Sequence, residues 1–164
     1  MTTRYPPIHL GAPGEEISKK DLHAVAQRFK NFNQSRLQRV QDFFQPRQHD
    51  FLNLLPLIFH INHPLLPGFV SLETPAGIPD YSPNKQATDT AKQFSKGFIY
   101  KRRALRNYPI HGIFLMGSVG SMAFSKDSDI DIWLCHQPTM AADELDELRQ
   151  KAREVEKWAA SLKI

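Results

Sequence analysis

Apolar residues recur at helical spacing in two long parts of the chain. The first part begins at Ser18, where a serine followed by Asp21 is typical of a helix start, and it runs to Pro46. Its apolar positions are Leu22, Val25, Ala26, Phe29, Phe32, Leu37, Val40, Phe43 and Phe44. They predict a long amphipathic helix, which is either continuous or broken near residues 31–33. We interpret its aromatic stripe as core or as a docking face, not as a ligand site.

The second helical part opens at Pro138-Thr139 and carries acidic residues in its first turns, which favours a helix amino terminus. Its apolar face consists of Met140, Leu145, Leu148, Ala152, Val155, Trp158 and Leu162. We predict that this face lies in the core.

Proline and glycine punctuate the region between these two helices. Residues 49–62 are predicted to form a helix that Pro56 either kinks or divides. Residues 64–83 contain five prolines and two glycines, which predicts a long loop. Residues 84–106 return to a helical pattern that ends in a basic cluster of Lys96, Lys101, Arg102, Arg103 and Arg106. This cluster is interpreted as a solvated helix end, with phosphate binding as the less favoured alternative.

The most informative stretch is 110–137, IHGIFLMGSVGSMAFSKDSDIDIWLCHQ. One apolar run ends at Gly117-Ser118, and after ten further residues a second begins with Asp129-Ile130-Asp131-Ile132-Trp133. The pattern predicts two strands with a Gly/Ser-containing connection. Alternate residues of a strand share a face, so Asp129 and Asp131 are expected on one side and the isoleucines on the other.

Two carboxylates roughly 6–7 Å apart along one strand repel each other unless a positive charge lies between them. Mg²⁺ suits such a pair, because it takes oxygen ligands and is usually held by one or two carboxylates together with the phosphates of its substrate. The Gly117-Ser118 turn complements this arrangement, since glycine allows close approach and exposed N–H groups bind phosphate oxygens. An exposed hairpin edge without function is the alternative for an Asp-x-Asp pattern taken alone.

Other candidate ligands carry weaker signals. His60 and His63 share a helix face at a metal-binding spacing, but hydrogen bonding at a helix end is the favoured interpretation. Trp133 lies on the face of the acids, where packing against a helix is favoured over contact with a base or ribose. Cys135 is a single cysteine in a strand pattern, so we expect a buried free thiol and a reducing compartment.

Length and composition are those of one globular domain of 164 residues, 41% hydrophobic and 23% charged. The formal net charge of +4 suits a nucleotide better than a nucleic acid, and no nucleic-acid partner is expected. No apolar run approaches the roughly 18–20 residues of a membrane-spanning helix, and residues 1–14 lack a signal-peptide core. A cytoplasmic protein without a membrane span is expected.

The Gly117-Ser118 turn, the ten-residue gap and Asp129-Ile130-Asp131-Ile132 together resemble the signature of the DNA polymerase β-like nucleotidyltransferase superfamily. Within it, the stretch from Ser128 to Gln137 resembles the amino-terminal region of the bacterial class I adenylate cyclases. The segments 54–68 and 158–162 resemble the same family. The likeness runs from about Phe44 to the end of the chain, and it is weaker between residues 82 and 109.

The resemblance implies an α+β fold: an incomplete nucleotidyltransferase core over residues 107–164, preceded by a helical region over 18–106 and a flexible tail over 1–17. It implies that Asp129 and Asp131 are catalytic and bind Mg²⁺ or Mn²⁺, and that Gly117, Ser118 and Ser128 bind phosphate. The implied reaction converts ATP to 3′,5′-cyclic AMP and pyrophosphate by an intramolecular attack that two metal ions assist. Members of the superfamily use a third carboxylate on a later strand, so residues 1–164 alone are expected to be inactive. Regulatory protein contacts are expected through regions outside this chain.

Two other functions are considered. The first keeps the fold but transfers a nucleotidyl group to a separate protein, RNA or small-molecule acceptor. The second is a non-catalytic regulatory domain, which is disfavoured because both acids and the Gly-Ser pair are present. A P-loop NTPase is not supported, since the sequence contains no Gly-x-x-x-x-Gly-Lys-Ser/Thr loop.

Overall fold

A computed structural model describes residues 14–102, 107–125 and 128–164. These residues form an α+β structure of four helices and a two-stranded antiparallel sheet. In chain order the elements are α1 (Lys19–Phe43), α2 (Pro46–His60), α3 (Lys85–Phe94), β1 (Ile110–Leu115), β2 (Ile132–His136) and α4 (Ala142–Ser161). Most of the predicted tail and part of the basic cluster, Arg103 and Arg106, lie outside the described residues.

Helix α1 is a single unbroken helix of 25 residues, so no break occurs at residues 31–33. The side chain of Ser18 caps it by accepting a hydrogen bond of 3.1 Å from the N–H of Asp21, as the serine and aspartate predict. Most of its predicted apolar stripe is exposed: Leu22, Val25, Phe29, Phe32, Leu37 and Phe43. Val40 is the buried residue of the helix. The apolar stripe of α1 is interpreted above as core or as a docking face. The core interpretation is wrong for most of these residues.

Helix α2 is the centre of the core. It begins at Pro46, earlier than predicted, because proline fits the first helical turn, and Gln45 and Gln48 form a capping box. It continues through Pro56 without dividing. Its buried side chains are Phe51, Leu54, Leu55, Leu57, Ile58 and Phe59.

Helix α3 is shorter than predicted. It starts after the cap Asn84, whose side chain accepts from the N–H of Ala87, and it ends at Phe94 instead of reaching residue 106. Ala87 and Ala91 pack it against α2. Lys96, Lys101 and Arg102 follow in an irregular, exposed segment. The predicted loop over residues 64–83 is confirmed, since it contains neither helix nor strand.

The sheet has one covered and one open face. Strands β1 and β2 pair with Ile113 opposite Leu134 and Phe114 opposite Trp133. Ile113, Leu134 and Ile132 pack on the core, whereas Phe114 and Trp133 are exposed. The predicted alternation of the strands is therefore present.

Helix α4 covers the core with the predicted face. It begins at Ala142 instead of Pro138, and Leu148, Val155 and Ala159 are buried. Met140, Trp158 and Leu162 pack beside them. Among the helices that the structure describes, none combines the length and the apolar character that a membrane crossing needs.

Candidate active site

The site is built around the turn that follows β1, residues 117–120. Gly117 and Gly120 both have the positive φ angles, +65° and +68°, that glycine adopts without strain. The N–H of Ser121 closes the turn by donating to the carbonyl of Ser118 at 2.8 Å. The four N–H groups of residues 117–120 donate to no acceptor among the described residues. Gly117 is exposed and Ser118 is half-buried, whereas Val119 and Gly120 are buried. Consecutive N–H groups without an internal acceptor can bind an anion where it can reach them.

Asp131 lies directly beside this turn. Its carbonyl accepts a hydrogen bond of 2.8 Å from the N–H of Met116, the residue before the turn. A β-carbon added to Gly117 would lie 3.0 Å from Oδ2 of Asp131. A glycine is thus what allows the carboxylate to approach the turn so closely.

The two acids are exposed, but they are not strand residues. Strand β2 begins only at Ile132, so the prediction that the strand opens at Asp129 is wrong by three residues. The predicted alternation survives in this extended segment: Asp129 and Asp131 are exposed, while Ile130 and Ile132 are half-buried against the core. Neither carboxylate forms a hydrogen bond or ion pair with another residue in the described ranges. Both are accordingly open to an external cation.

The two serines of the prediction occupy different places. Ser118 is half-buried in the turn itself. The hydroxyl of Ser128 accepts from the N–H of Ser125 at 3.0 Å and lies 3.1 Å from the hydroxyl of the same serine. Ser128 and Asp129 also line a cavity of about 460 Å³ against α4, where Glu156 is another lining residue. The described contacts of Ser128 thus join it to Ser125 and not to the turn.

The open face of the sheet places aromatic rings next to the acids. Trp133 is two residues from Asp131 along one extended segment, so both side chains lie on the same face. Trp133 is 60% exposed and its cross-strand partner Phe114 is 41% exposed. The expectation that Trp133 packs against a helix is therefore wrong, and an aromatic surface is available beside Asp131.

Two arginines of α1 donate hydrogen bonds to the carbonyls of the turn, and the sequence analysis missed them. Arg36 donates to the carbonyl of Gly117 at 2.9 Å and to that of Val119 at 2.9 Å and 2.6 Å. Arg39 donates to the carbonyl of Gly120. A spacing of three residues places both arginines on one helix face. That spacing was visible in the sequence, but it is too common to identify a site.

Two carboxylates suit a hydrated divalent cation better than a closed protein cage. Across the part of the chain that the structure describes, no three His, Cys, Asp or Glu side chains come together as a metal site. Mg²⁺ normally keeps several waters and takes one or two carboxylates plus substrate phosphates. Asp131, exposed beside the glycine turn, and Asp129, exposed two residues earlier in the same segment, are carboxylates of the kind that this requires.

The histidines are engaged in structural contacts. Nδ1 of His60 accepts from the N–H of Ile78 at 3.1 Å, so a neutral ring carries its proton on Nε2, which lies 3.0 Å from the hydroxyl of Tyr100. Burial lowers the pKa of His60, in agreement with this neutral form. Nδ1 of His63 accepts from the N–H of Leu65 at 3.3 Å. Hydrogen bonding at the helix end, the favoured interpretation, is confirmed for both.

The model of the adenylate cyclase NT domain family matches residues 21–164. This chain belongs to that family. Adenylate cyclases of Escherichia coli K12 and Salmonella typhimurium are each 32% identical to it over 145 residues, and that of Yersinia intermedia is 31% identical over the same length. Each match covers 87% of this chain and 17% of the relative. No solved structure matches the chain.

The extent of the family match bears on every element of the site. The adenylate cyclase domain begins at Asp21, so it includes nearly all of α1, with Arg36 and Arg39, as well as the turn and both acids. The chain spans 17% of the length of these relatives. The chain thus corresponds to a minor part of the length of these relatives.

Proposed function

We propose that this chain forms the ATP- and metal-binding part of an adenylate cyclase active site, on a nucleotidyltransferase-type core. One observation carries the proposal: the exposed carboxylate of Asp131 lies against Gly117, in a turn whose four N–H groups have no described protein acceptor. Carboxylates for a cation and N–H groups for phosphate oxygens are the two requirements of a metal-triphosphate site.

Each part of ATP has a proposed place. The N–H groups of residues 117–120 and the hydroxyl of Ser118 hold phosphate oxygens. Asp129 and Asp131 hold the cation beside them. The exposed rings of Trp133 and Phe114 lie on the same face as Asp131 and offer stacking surface for the nucleoside. Ser128, held by Ser125, positions the segment that carries Asp129.

In the proposed reaction, the ribose 3′-hydroxyl of ATP loses its proton to solvent, and its oxygen attacks the α-phosphorus of the same ATP and forms the new P–O bond. The bond from the α-phosphorus to the bridging oxygen breaks, and pyrophosphate leaves with that electron pair. When bound, Mg²⁺ or Mn²⁺ supplies electrostatic stabilisation of the charge on the phosphate oxygens. The chain contributes position: the turn fixes the phosphates, and the acids fix the cation relative to them.

Titration of the purified chain with Mg²⁺-ATP tests binding, and a cyclase polypeptide that contains this region tests the reaction. We expect Asp131→Asn to abolish ATP binding. Asp146→Asn is the control, because Asp146 is 73% exposed on α4 and pairs with Arg149. Equal ATP affinity of the Asp131→Asn variant and the wild type would contradict the proposal.

The products distinguish the two reactions that this site could support. A cyclase yields cyclic AMP and pyrophosphate, whereas a nucleotidyltransferase attaches AMP to a separate acceptor. Labelled ATP followed by product separation therefore decides between them. The family match favours the cyclase.

A further inference from the structure

We propose that Arg36 is a positioning residue for the phosphate-binding turn, assisted by Arg39. This inference rests on the proposed function, because it assigns the arginines a role in the same site. Arg36 and the turn are separated by 81 to 83 residues in the sequence, yet three hydrogen bonds join the guanidinium to two turn carbonyls.

The direction of these bonds determines where the N–H groups point. In a trans peptide unit the C=O and the N–H of the following residue point in opposite directions. Because Arg36 donates to the carbonyls of Gly117 and Val119, the N–H groups of Ser118 and Gly120 point away from its guanidinium. These are two of the four N–H groups without an acceptor in the described structure. The arginine therefore orients the N–H of Ser118, a half-buried residue that a phosphate would meet, together with that of Gly120, which is buried.

The backbone of the turn also lies directly on α1. A β-carbon at Gly120 would overlap the backbone carbonyl of Arg36. Val119 is 1% exposed and packs in a small cluster with Val40 and Phe44. Because of this close packing, the turn cannot move toward α1 without a steric clash.

The geometry calls for a guanidinium and not merely for a positive charge. Arginine presents N–H donors in a rigid planar fork, whereas the lysine ammonium is a single point charge on a flexible stem. Nε and Nη2 of Arg36 both donate to the carbonyl of Val119 while Nη2 also reaches that of Gly117. A lysine at position 36 would keep the positive charge near the turn, but it would lose the simultaneous hydrogen bonds to both carbonyls.

The first measurement needs no ligand. Backbone ¹⁵N relaxation of the purified chain reports the order of residues 117–120, for which we expect a rigid order parameter of about 0.85. Arg36→Lys should lower it below about 0.6 in the turn, with no change in α4. Lys30→Gln is the control, since Lys30 is exposed on the same helix. A turn that stays equally ordered in Arg36→Lys would overturn the proposal.

The second measurement uses inorganic triphosphate with Mg²⁺, titrated by calorimetry into each variant. We expect Arg36→Lys to weaken binding about tenfold to a hundredfold, the range expected for the loss of one oriented hydrogen bond to a charged group. Arg39→Lys should give a smaller loss. Melting temperatures of both variants should stay close to that of the wild type, which separates positioning from stability.

A chemical rescue completes the test. Methylguanidinium added to Arg36→Ala should restore part of the triphosphate affinity, while methylammonium should not. If the wild type binds triphosphate and Arg36→Lys binds it equally well, the positioning role is wrong and the proposed function stands. If the wild type itself binds no Mg²⁺-triphosphate, the proposed function fails, and the positioning role fails with it.

Discussion

The helical core and the turn-and-acid face are stabilised in different ways. The core is made by α2, α3, α4 and the covered face of the sheet, where Leu54, Leu57 and Ala91 are fully buried. The turn-and-acid face, comprising residues 117–120, Asp129, Asp131 and Trp133, depends on a three-residue cluster and on the arginines of α1. Stability is thus concentrated where there is no chemistry, and the candidate chemistry depends on a few directed bonds.

The polar groups of the two regions differ in whether they have hydrogen-bond partners within the protein. In the core, Lys151 is 1% exposed, and its ammonium donates to Oδ1 of Asn62 at 2.8 Å. The amide nitrogen of Asn62 in turn donates to the carbonyl of Thr74, which ties the 64–83 loop to α4. In the turn-and-acid face, by contrast, carboxylates and N–H groups are left without described partners. The buried polar side chains of the core are paired, whereas the exposed carboxylates of Asp129 and Asp131 remain available to a ligand.

The largest expected effect is a loss of activity without a loss of stability, in variants of the two acids. Asp129→Ala and Asp131→Ala should each lower cyclic AMP formation about a thousandfold or more in a cyclase that contains this region, because loss of a metal ligand removes several kcal/mol of stabilisation. The unfolding free energy should change by less than about 0.5 kcal/mol, since both residues are exposed. The assay measures cyclic AMP, with Asp146→Ala as the control. Normal turnover in either variant would contradict the metal assignment.

The next effect belongs to the core alone. Leu57→Ala should lower the free energy of unfolding by about 2–5 kcal/mol, because the residue is 0% exposed and truncation leaves a cavity. Leu72→Ala, at a position that is 73% exposed, should change it by less than about 0.5 kcal/mol. Urea unfolding followed by circular dichroism measures both. Equal urea midpoints for these two variants would show that the core is not where stability is concentrated.

The buried ammonium of Lys151 should make the free energy of unfolding depend on pH, and this tests the description of the core. Burial lowers the pKa of this ammonium to about 8 from an ordinary value of 10.5. Between these values the unfolded chain binds more protons than the folded chain, so the free energy of unfolding should rise with pH. The rise attributable to Lys151 is at most about 3 kcal/mol, and below the lower value the cost of burying the charge is fully present.

Lys151→Met removes this titration. The difference in unfolding free energy between wild type and variant should therefore grow in favour of the wild type between pH 8 and 10.5, the two pKa values. Taking the difference cancels the groups that both proteins share, such as Tyr81. Urea unfolding at a series of pH values measures it. A constant difference across the window would show that Lys151 is not a desolvated ammonium.

The smallest effect tests the contact between turn and acid. Gly117→Val places a β-carbon 3.0 Å from Oδ2 of Asp131, at a φ of +65° that a branched residue tolerates poorly. Strain of about 1–3 kcal/mol should displace the turn and lower kcat/KM for Mg²⁺-ATP about tenfold to a hundredfold. Gly97→Val is the matched control, because a β-carbon there meets no atom within 4 Å. Unchanged kinetics for Gly117→Val would mean that the turn is only a connection.

Several features were predictable because their cause is local in the chain. The alternation of residues 129–133 determined which side chains share a face, and this pattern holds although the strand begins later, at Ile132. The apolar face of α4 was found from its period, and the cap at Ser18 from its chemistry. The family was recognised from the Gly117-Ser118 and Asp129-Ile130-Asp131 signature. The roles of these residues and the boundary between residues 106 and 107 stay predictions.

Other features needed the tertiary structure. Periodicity shows that α1 is amphipathic, but it does not show whether another element covers the stripe, and here most of it is exposed. A lysine in a helix is expected at the surface, yet packing buries Lys151. The helical pattern after residue 84 extends to residue 106, although α3 ends at Phe94, ahead of Gly97.

The sequence by itself determined the residue types of the candidate site and their local order: a glycine turn, two acids on one face and an aromatic beside them. Only the tertiary structure decided that Arg36 and Arg39, more than 80 residues away along the chain, hold the carbonyls of that turn. The physical reason is that side-chain spacing specifies faces within one element. Which faces meet depends on packing across the whole chain, and that cannot be obtained from a local pattern.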